Sequence, residues 1–354
     1  MKTNVGTAIV RAAAITPGIP GTLAVAEIPI DRPAGWAVIR GIACGLCGTD
    51  RGLVEGIFGN SPVDSTGLII GHESYGIVLD PGSTGIATGT HVVGIVRYPD
   101  PVPCEFCRDG RSDLCTNGLF LERGIKGAHG FCASQWVAPK EGLVEVPESL
   151  GLTAVLVEPT SVVVNACASA LEVALRRLGR PVQSAVVIGG GTIGVLAMLY
   201  LAGQAIDVTL VGTDTETGPA GRLAELCGAR YRLANEPWPD VELVMECSGS
   251  EDVAERLLTD PKPPRFTWIV GIPEQQRPIT VDASELLRRM VLANCTVVGV
   301  VSCTRHDYIS AASFLASVPR PWLDVIITRK VSLDTIADGL IPRTGDIKVV
   351  VKLS

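Results

Sequence analysis

The sequence predicts a two-domain α/β protein, a β-rich domain joined to a doubly wound parallel-sheet domain. Three observations carry this expectation. The chain has 354 residues and 47% hydrophobic content, enough for two cores. Up to about residue 150, short apolar runs such as GWAVIRGIAC, GLIIGHESYGIVL, GTHVVGIV and ASQWVAP are punctuated by Gly and Pro, the texture of a β domain. From about residue 160, apolar strands alternate with helical segments, which implies a parallel sheet covered by helices on both faces.

The second domain reads in order. VVVNACASALEVALRRL has helical spacing; SAVVIGG, DVTLVG, DVELVMECSG and FTWIVGI read as strands, separated by the helical TIGVLAMLYLAGQ, GRLAELCGA and DVAERLL. VVGVVS at 297 to 302 follows as a strand, then a helical HDYISAASFLAS and a strand-like tail, DIKVVVKLS. There is no internal repeat and no low-complexity tract.

A net charge of −7, a pI near 5.3 and no Lys/Arg block argue against nucleic acid and anionic membranes as partners, and leave small molecules as the expected ligands. The opening MKTNVGTAIVRAAAITPG lacks the apolar core of a signal peptide, and no run approaches the roughly 18 apolar residues of a spanning helix. The expected location is cytoplasmic. Eleven cysteines, an odd number spread along the chain, suit reduced thiols and metal ligands better than a disulfide framework.

In SAVVIGGGTIGVLAMLYLAG, Gly189, Gly191 and Gly194 stand in G-x-G-x-x-G register between an apolar strand and a helical run. The first glycine suits a tight turn, the second gives room for a pyrophosphate, and the third allows close packing of helix on strand. Thr192 and Ile193 complete the helix start, where phosphates bind. Alone the triplet also fits a turn without nucleotide; the surrounding βαβ texture favours a Rossmann dinucleotide site. Cofactor choice depends on the end of the next strand, where an Asp or Glu would hold the adenosine ribose. DVTLVGTDTETG has Gly212 there. Asp214 serves NAD if the turn brings it back; otherwise Gly212 leaves space for a 2′-phosphate, with Thr213, Thr215 and Arg222 as donors. The balance leans to NADP.

Among only four histidines, His72 sits beside Glu73 on an apolar strand pattern. Such a pair is costly to bury unless something compensates the carboxylate, and a divalent cation would. Cys47, His72 and Glu158 would give zinc a mixed ligand set with a fourth position open, as catalytic sites require. The competing reading is a core thiol beside a hydrogen-bonded His-Glu pair. Cys104, Cys107 and Cys115 in PVPCEFCRDGRSDLC read as most of a structural zinc lobe with one ligand missing.

Taken together, CGTDRGLVEG, GHESYGIV, CRDGRSDLC, LERGIKGAHGF, VEPTS, the glycine fingerprint and the tail RHDY…IKVVVKL resemble the zinc-dependent medium-chain alcohol dehydrogenases, in their glucose (aldose) 1-dehydrogenase branch. The resemblance implies a GroES-like catalytic domain of residues 1–160 and 305–354 around a Rossmann NAD(P)-binding domain of 161–304. It makes Cys47 the zinc thiolate, His72 and Glu73 its partners, Glu158 the carboxylate that ligates or approaches the metal, and Cys44 a bystander. It implies that Thr49 passes the substrate proton, that Glu122 contacts a sugar hydroxyl, and that the active site lies in the interdomain cleft. A homodimer or homotetramer is also implied, with the strand at 295 to 301 pairing across a dimer.

Three departures stand out. The first cysteine of the family's structural lobe falls on Pro101, with Asp100 as a candidate substitute. The family's relay position is Gly52, so the proton route ends in water. Where the branch reads V-N-A-N-R at its sugar-binding segment, this chain has VSCTR, with Ser302 and Thr304 in place of two asparagines. Losing two amides from a hydroxyl-reading pocket puts glucose itself in question.

The expected function is a zinc- and NAD(P)-dependent oxidoreductase acting on a secondary alcohol, or its carbonyl, of a sugar, cyclitol or polyol. The alternatives are an NADPH-dependent alkene or carbonyl reductase that does not need zinc, and a non-catalytic dinucleotide-binding protein.

Overall fold

The structure, a computed structural model, describes residues 4–63, 65–273 and 277–353. The chain divides into two compact units, one of residues 1–161, 303–343 and 348–354, the other of 162–302 and 344–347.

The first unit is β-rich. Its strands are β1 (Asn4–Ile15), β2 (Ala24–Pro33), β3 (Ala37–Leu46), β4 (Leu68–Ile69), β5 (Glu73–Asp80), β6 (His91–Gly94), β7 (Arg97–Tyr98), β8 (Leu121–Arg123), β9 (Gly127–Ala128), β10 (Gln135–Ala138) and β11 (Leu143–Glu145), with β18 (Ile327–Ser332) and β19 (Lys348–Lys352) returning from the C-terminal end. Helices α1 (Gly48–Val54), α2 (Glu105–Arg108), α8 (Arg305–Ser317), α9 (Arg320–Ile326) and α10 (Ile336–Leu340) decorate it. The main sheet runs β11-β6-β5-β3-β19-β18, with β10 also on β3; β2-β1-β4 and β7-β8-β9 form two smaller sheets. One core packs Ile39, Val78, Phe131 and Trp136. A second packs Cys44, Leu46, Leu53, Ile70, Cys132 and Val351. Pairing of β3 with β5 sets Gly45 opposite Glu73, and the glycine is needed there, because a Cβ on it would lie 2.0 Å from Glu73 Oε2.

The second unit begins within α3 (Val157–Leu178). It holds the parallel strands β12 (Ser184–Ile188), β13 (Asp207–Gly212), β14 (Arg230–Leu233), β15 (Leu243–Glu246), β16 (Phe266–Ile269) and β17 (Thr296–Gly299), with α4 (Thr192–Ala202), α5 (Pro219–Leu226), α6 (Glu251–Thr259) and α7 (Ala283–Leu292). The order β14-β13-β12-β15-β16-β17 reverses direction beside β12, the doubly wound dinucleotide arrangement.

Two elements of this unit escape the sequence pattern. β14 reads RYRL, an edge strand whose alternate arginines hide the strand period. In α7 no residue is buried, so its apolar stripe is easily passed over. Among the described residues one helical stretch, Glu148–Leu178, has the length and, at 1.5, the mean hydropathy to match a bilayer, and 72% of its apolar window is buried within the protein, as in the core helix of a globular fold.

Candidate active site

In the first unit a single buried carboxylate organises the candidate metal ligands. Cys47 ends β3 and caps α1, and its N–H donates to Asp50 Oδ2 at 3.0 Å. The other oxygen, Oδ1, accepts from Gly71 N–H at 3.2 Å, so Asp50 pins the backbone on both sides of the site. Cys47 Sγ lies 3.3 Å from His72 Nε2, and His72 Nδ1 lies 3.8 Å from Asp50 Oδ1. Ligand atoms of Cys47, Asp50 and His72 lie within 4.8 Å of one another, as do those of His72, Glu73 and Glu158. Asp50 is fully buried, a site residue that nothing in CGTD singles out before the fold places it.

Glu73 has a second partner. Lys348 Nζ donates to Glu73 Oε1 at 2.5 Å and to Leu46 O at 3.2 Å, and both charged side chains are buried. Only the fold could reveal this, since β19 joins β3 from the far end of the sequence. Burial disfavours a charged His72, but Cys47, Asp50 and Glu158 outweigh it and raise its proton affinity well above the ordinary value. Burial drives the Glu158 carboxyl up to about 7; Glu73 and Asp50 push the same way, and His72 and Lys348 oppose.

The residues fit a divalent metal. Glu73 Oε2 is buried without a hydrogen-bond partner, a cost that a cation beside it would relieve, while His72 turns Nε2 to Cys47 and Nδ1 towards Asp50. Thiolate, imidazole and carboxylate are a zinc donor set. Cys44 is a core residue: a hydrogen bond with Cys132, with burial added, holds its thiol well above the ordinary range. Thr49 stands partly buried in α1 beside Cys47. Gly52 lies under the Phe58 ring, which stands 2.7 Å from where a Cβ would be and would have to move aside for any side chain there.

Glu122 is held by Arg97, with both Nε and Nη2 donating to Oε1. Thr304 requires correction as a substrate contact. It is the N-cap of α8: its hydroxyl donates to Asp307 Oδ2 at 2.7 Å and accepts from Asp307 N–H, so its only hydrogen is spent on the helix. Ser302, in the second unit, is anchored through its carbonyl, which accepts from Asn165 Nδ2 at 2.7 Å.

The Cys104, Cys107 and Cys115 sulfurs lie within 4.8 Å of one another. Backbone hydrogen bonds from Thr116 and Cys107 bring the Cys104 thiol down to about 6. Asp100 is not part of this group. Its carboxylate is buried; Oδ1 accepts from Val102 N–H at 2.7 Å, closing its own turn, while Oδ2 is buried without a partner.

In the second unit each fingerprint glycine has a geometric reason. Gly189 has φ +119° and its backbone faces Cys247 and Ser248 so closely that a Cβ would lie 2.9 Å away. Gly191 caps α4 and has open space where a Cβ would be, and a Cβ on Gly194 would lie 1.8 Å from Gly189 O. Thr192 Oγ1 donates to Ile347 O, and Ile193 is partly buried behind it. Gly212 ends β13 facing Tyr231, whose Oη would lie 2.3 Å from an added Cβ. Tyr231 Oη donates to Asp214 O, and Asp214 Oδ1 accepts from Thr215 N–H, folding that carboxylate onto its own turn. Thr215 and Thr217 hydroxyls lie 3.2 Å apart. Thr213, the first residue after β13, is exposed. Arg222 donates to Thr217 O and lines, with Thr217, Arg230, Tyr231 and Arg232, a groove of about 950 Å³.

A β-rich unit carrying a thiolate–imidazole–carboxylate cluster, joined to a doubly wound unit with this glycine turn, defines a medium-chain dehydrogenase. Residues 33–148 match the alcohol dehydrogenase GroES-like domain and residues 151–353 match the glucose dehydrogenase C-terminus. The chain is 34% identical to a glucose 1-dehydrogenase of Methanocella arvoryzae, over 97% of this chain and 99% of that one. It is 32% identical to a glucose 1-dehydrogenase of Thermoproteus tenax, with the same coverage of both. Among solved structures, Haloferax mediterranei glucose dehydrogenase in complex with NADP, Zn and gluconolactone superposes with a TM-score of 0.85 at 25% identity, covering 97% of this chain and 99% of that one. The chain belongs to the glucose dehydrogenase family of zinc-type medium-chain alcohol dehydrogenases.

Proposed function

We propose that this protein is a zinc- and NADP-linked dehydrogenase that oxidises a ring or anomeric hydroxyl of a sugar, cyclitol or related polyol. One observation carries the reading: His72 shares one close group of candidate ligands with Cys47 and Asp50 and a second with Glu73 and Glu158, and Glu73 Oε2 is buried without a partner. Held by these residues, zinc would supply Lewis-acid polarisation of a substrate oxygen, and a nicotinamide on the fingerprint turn would supply the hydride acceptor. The chain's own residues do the rest. Asp50 fixes Cys47 and His72 in place, and Lys348 holds Glu73. Thr49 takes the substrate hydroxyl's proton towards solvent, since Gly52 and Phe58 leave no side-chain base at the next step of that path.

The open Gly191 turn receives the pyrophosphate. NADP is favoured over NAD because Asp214 is folded onto its own turn while Arg222 and the threonines near it are hydrogen-bond donors. With Thr304 spent on capping, glucose is one member of the substrate class rather than the assigned substrate. We assign a second copy of the chain to the β17 edge of the sheet, where Val297 of that strand and Leu287, Val291 and Leu292 of the preceding α7 are exposed.

The test is formation of NADPH and NADH against sugars, cyclitols and polyols, with zinc measured on the same sample. One zinc per chain or more, and turnover of polyhydroxylated substrates with NADP preferred, is the expected result. Reduction of C=C substrates by zinc-free protein would select the alkene reductase instead.

A further inference from the structure

The carboxylate assigned to a sugar hydroxyl, Glu122, is held in one geometry. β7 and β8 pair antiparallel with Arg97 directly opposite Glu122. Arg97 Nε and Nη2 donate to the same oxygen, Oε1, at 3.0 and 2.8 Å. Both side chains are largely withdrawn from water, 13% and 18% exposed. The guanidinium is fixed from two further directions: Nη1 reaches Asp113 O at 3.4 Å, and the group lies 4.0 Å from the Phe120 ring centroid. Among the described residues, no protein donor reaches Glu122 Oε2.

This arrangement is chemically selective. A carboxylate with one oxygen saturated by a guanidinium fork keeps one oxygen, which accepts hydrogen bonds and donates none. It suits an O–H donor and mismatches a carbonyl or ether. Arg97 and Glu158 are both within electrostatic reach of buried Cys303, whose sulfur lies 2.9 Å from the Ser161 hydroxyl. Val96, next to Arg97, donates its N–H to Tyr308 Oη at 3.2 Å, tying β7 to α8.

We infer that Arg97 is a positioning residue for substrate selection: by occupying Oε1 of Glu122 it presents Oε2 as a single acceptor for one hydroxyl of a polyhydroxylated substrate. The inference rests on the sugar-dehydrogenase reading above. A lysine at 97 would keep the charge but cannot make both hydrogen bonds with fixed geometry.

The test compares wild type, Arg97→Lys, Arg97→Met, Glu122→Gln and the Arg97→Met/Glu122→Gln double variant on a reactive aldose or cyclitol and on a simple secondary alcohol. Arg97→Met is expected to raise KM for the polyhydroxylated substrate roughly 10- to 100-fold, the loss of one charge-assisted contact, with kcat within about 3-fold. Affinity for NADP and zinc content should stay at the wild-type level, and Arg97→Lys should recover part of the loss. In the Glu122→Gln background the same change should add almost nothing. Arg97→Lys and Glu122→Gln keep size close to native, so the comparison stands even where Arg97→Met fails to fold. Additive effects, or an equal loss on the simple alcohol, would overturn the role of Arg97 while leaving the reaction class intact. Wild type without turnover on any sugar, cyclitol or polyol would overturn both.

Discussion

Lys348 Nζ lies 2.5 Å from Glu73 Oε1, joining β19 near the C-terminal end to β5 inside the candidate active site, and the two side chains are only 1% and 2% exposed. Burying two charges pays off only when each keeps its partner. Lys348→Met should therefore destabilise the protein by about 3–5 kcal/mol, because Glu73 would be left charged and unpaired. Chemical denaturation of the zinc-free protein, in which no cation faces Glu73, measures this. Adding Glu73→Gln to Lys348→Met should recover much of the loss, and no recovery would show that the lysine acts through packing alone.

Cys47→Ser replaces the thiolate of the proposed zinc set with a weak hydroxyl ligand. Turnover should disappear while cofactor affinity stays within about threefold, because the fingerprint turn lies in the other unit. Steady-state kinetics with titration of NADPH fluorescence separates the two effects. Unchanged turnover would remove Cys47 from the mechanism.

Gly212→Asp places a carboxylate at the end of β13 and should shift preference from NADP towards NAD. Tyr231 Oη stands where the new Cβ must go, at 2.3 Å, so the same substitution should also lower stability by about 1–3 kcal/mol through overpacking. Cofactor kcat/KM ratios and melting curves read the two consequences. An unchanged ratio with lowered stability would mean that the ribose is held elsewhere.

His129 supplies a pH dependence. Burial, with Arg123 adding to it, lowers its pKa to about 4, and its Nδ1 accepts from Ile69 N–H at 3.2 Å, which requires the neutral ring. Between the ordinary histidine value near 6.5 and about 4 the unfolded chain binds a proton that the folded chain refuses. Stability should therefore fall as pH drops through that window, by about 2 kcal/mol once partial exposure is allowed for, and should be insensitive to this group above pH 7. Denaturation curves at pH 7.5, 6 and 4.5 test it, and His129→Gln should flatten the profile.

Much of the site was legible because local chemistry constrained it. The strand–GGGTIG–helix segment has one physical use for each glycine, and the structure gives Gly189 its turn, Gly191 its open space and Gly194 its close contact. His72 beside Glu73 in an apolar run signalled a buried charge that needs a partner. The residues that were missed act across long sequence separations. Asp50 looks like an ordinary capping residue until Gly71 is placed against it, and Lys348 looks like an edge-strand lysine until β19 pairs with β3. Thr304 and Asp100 carry polar atoms at family positions whose local use only the structure shows: Thr304 exchanges hydrogen bonds with Asp307 at the start of α8, and Asp100 gives one oxygen to its turn and keeps the other unpartnered. The T-x-x-D spacing from Thr304 to Asp307 was visible and marks a helix start.

The most direct test of the account is an anomalous diffraction map at the zinc edge from crystals grown with NADP. A peak within bonding distance of Cys47 Sγ and His72 Nε2 is the predicted result, whatever appears at Cys104, Cys107 and Cys115. A map with density at the three-cysteine lobe only, or at neither place in protein that still turns over substrate, would contradict it.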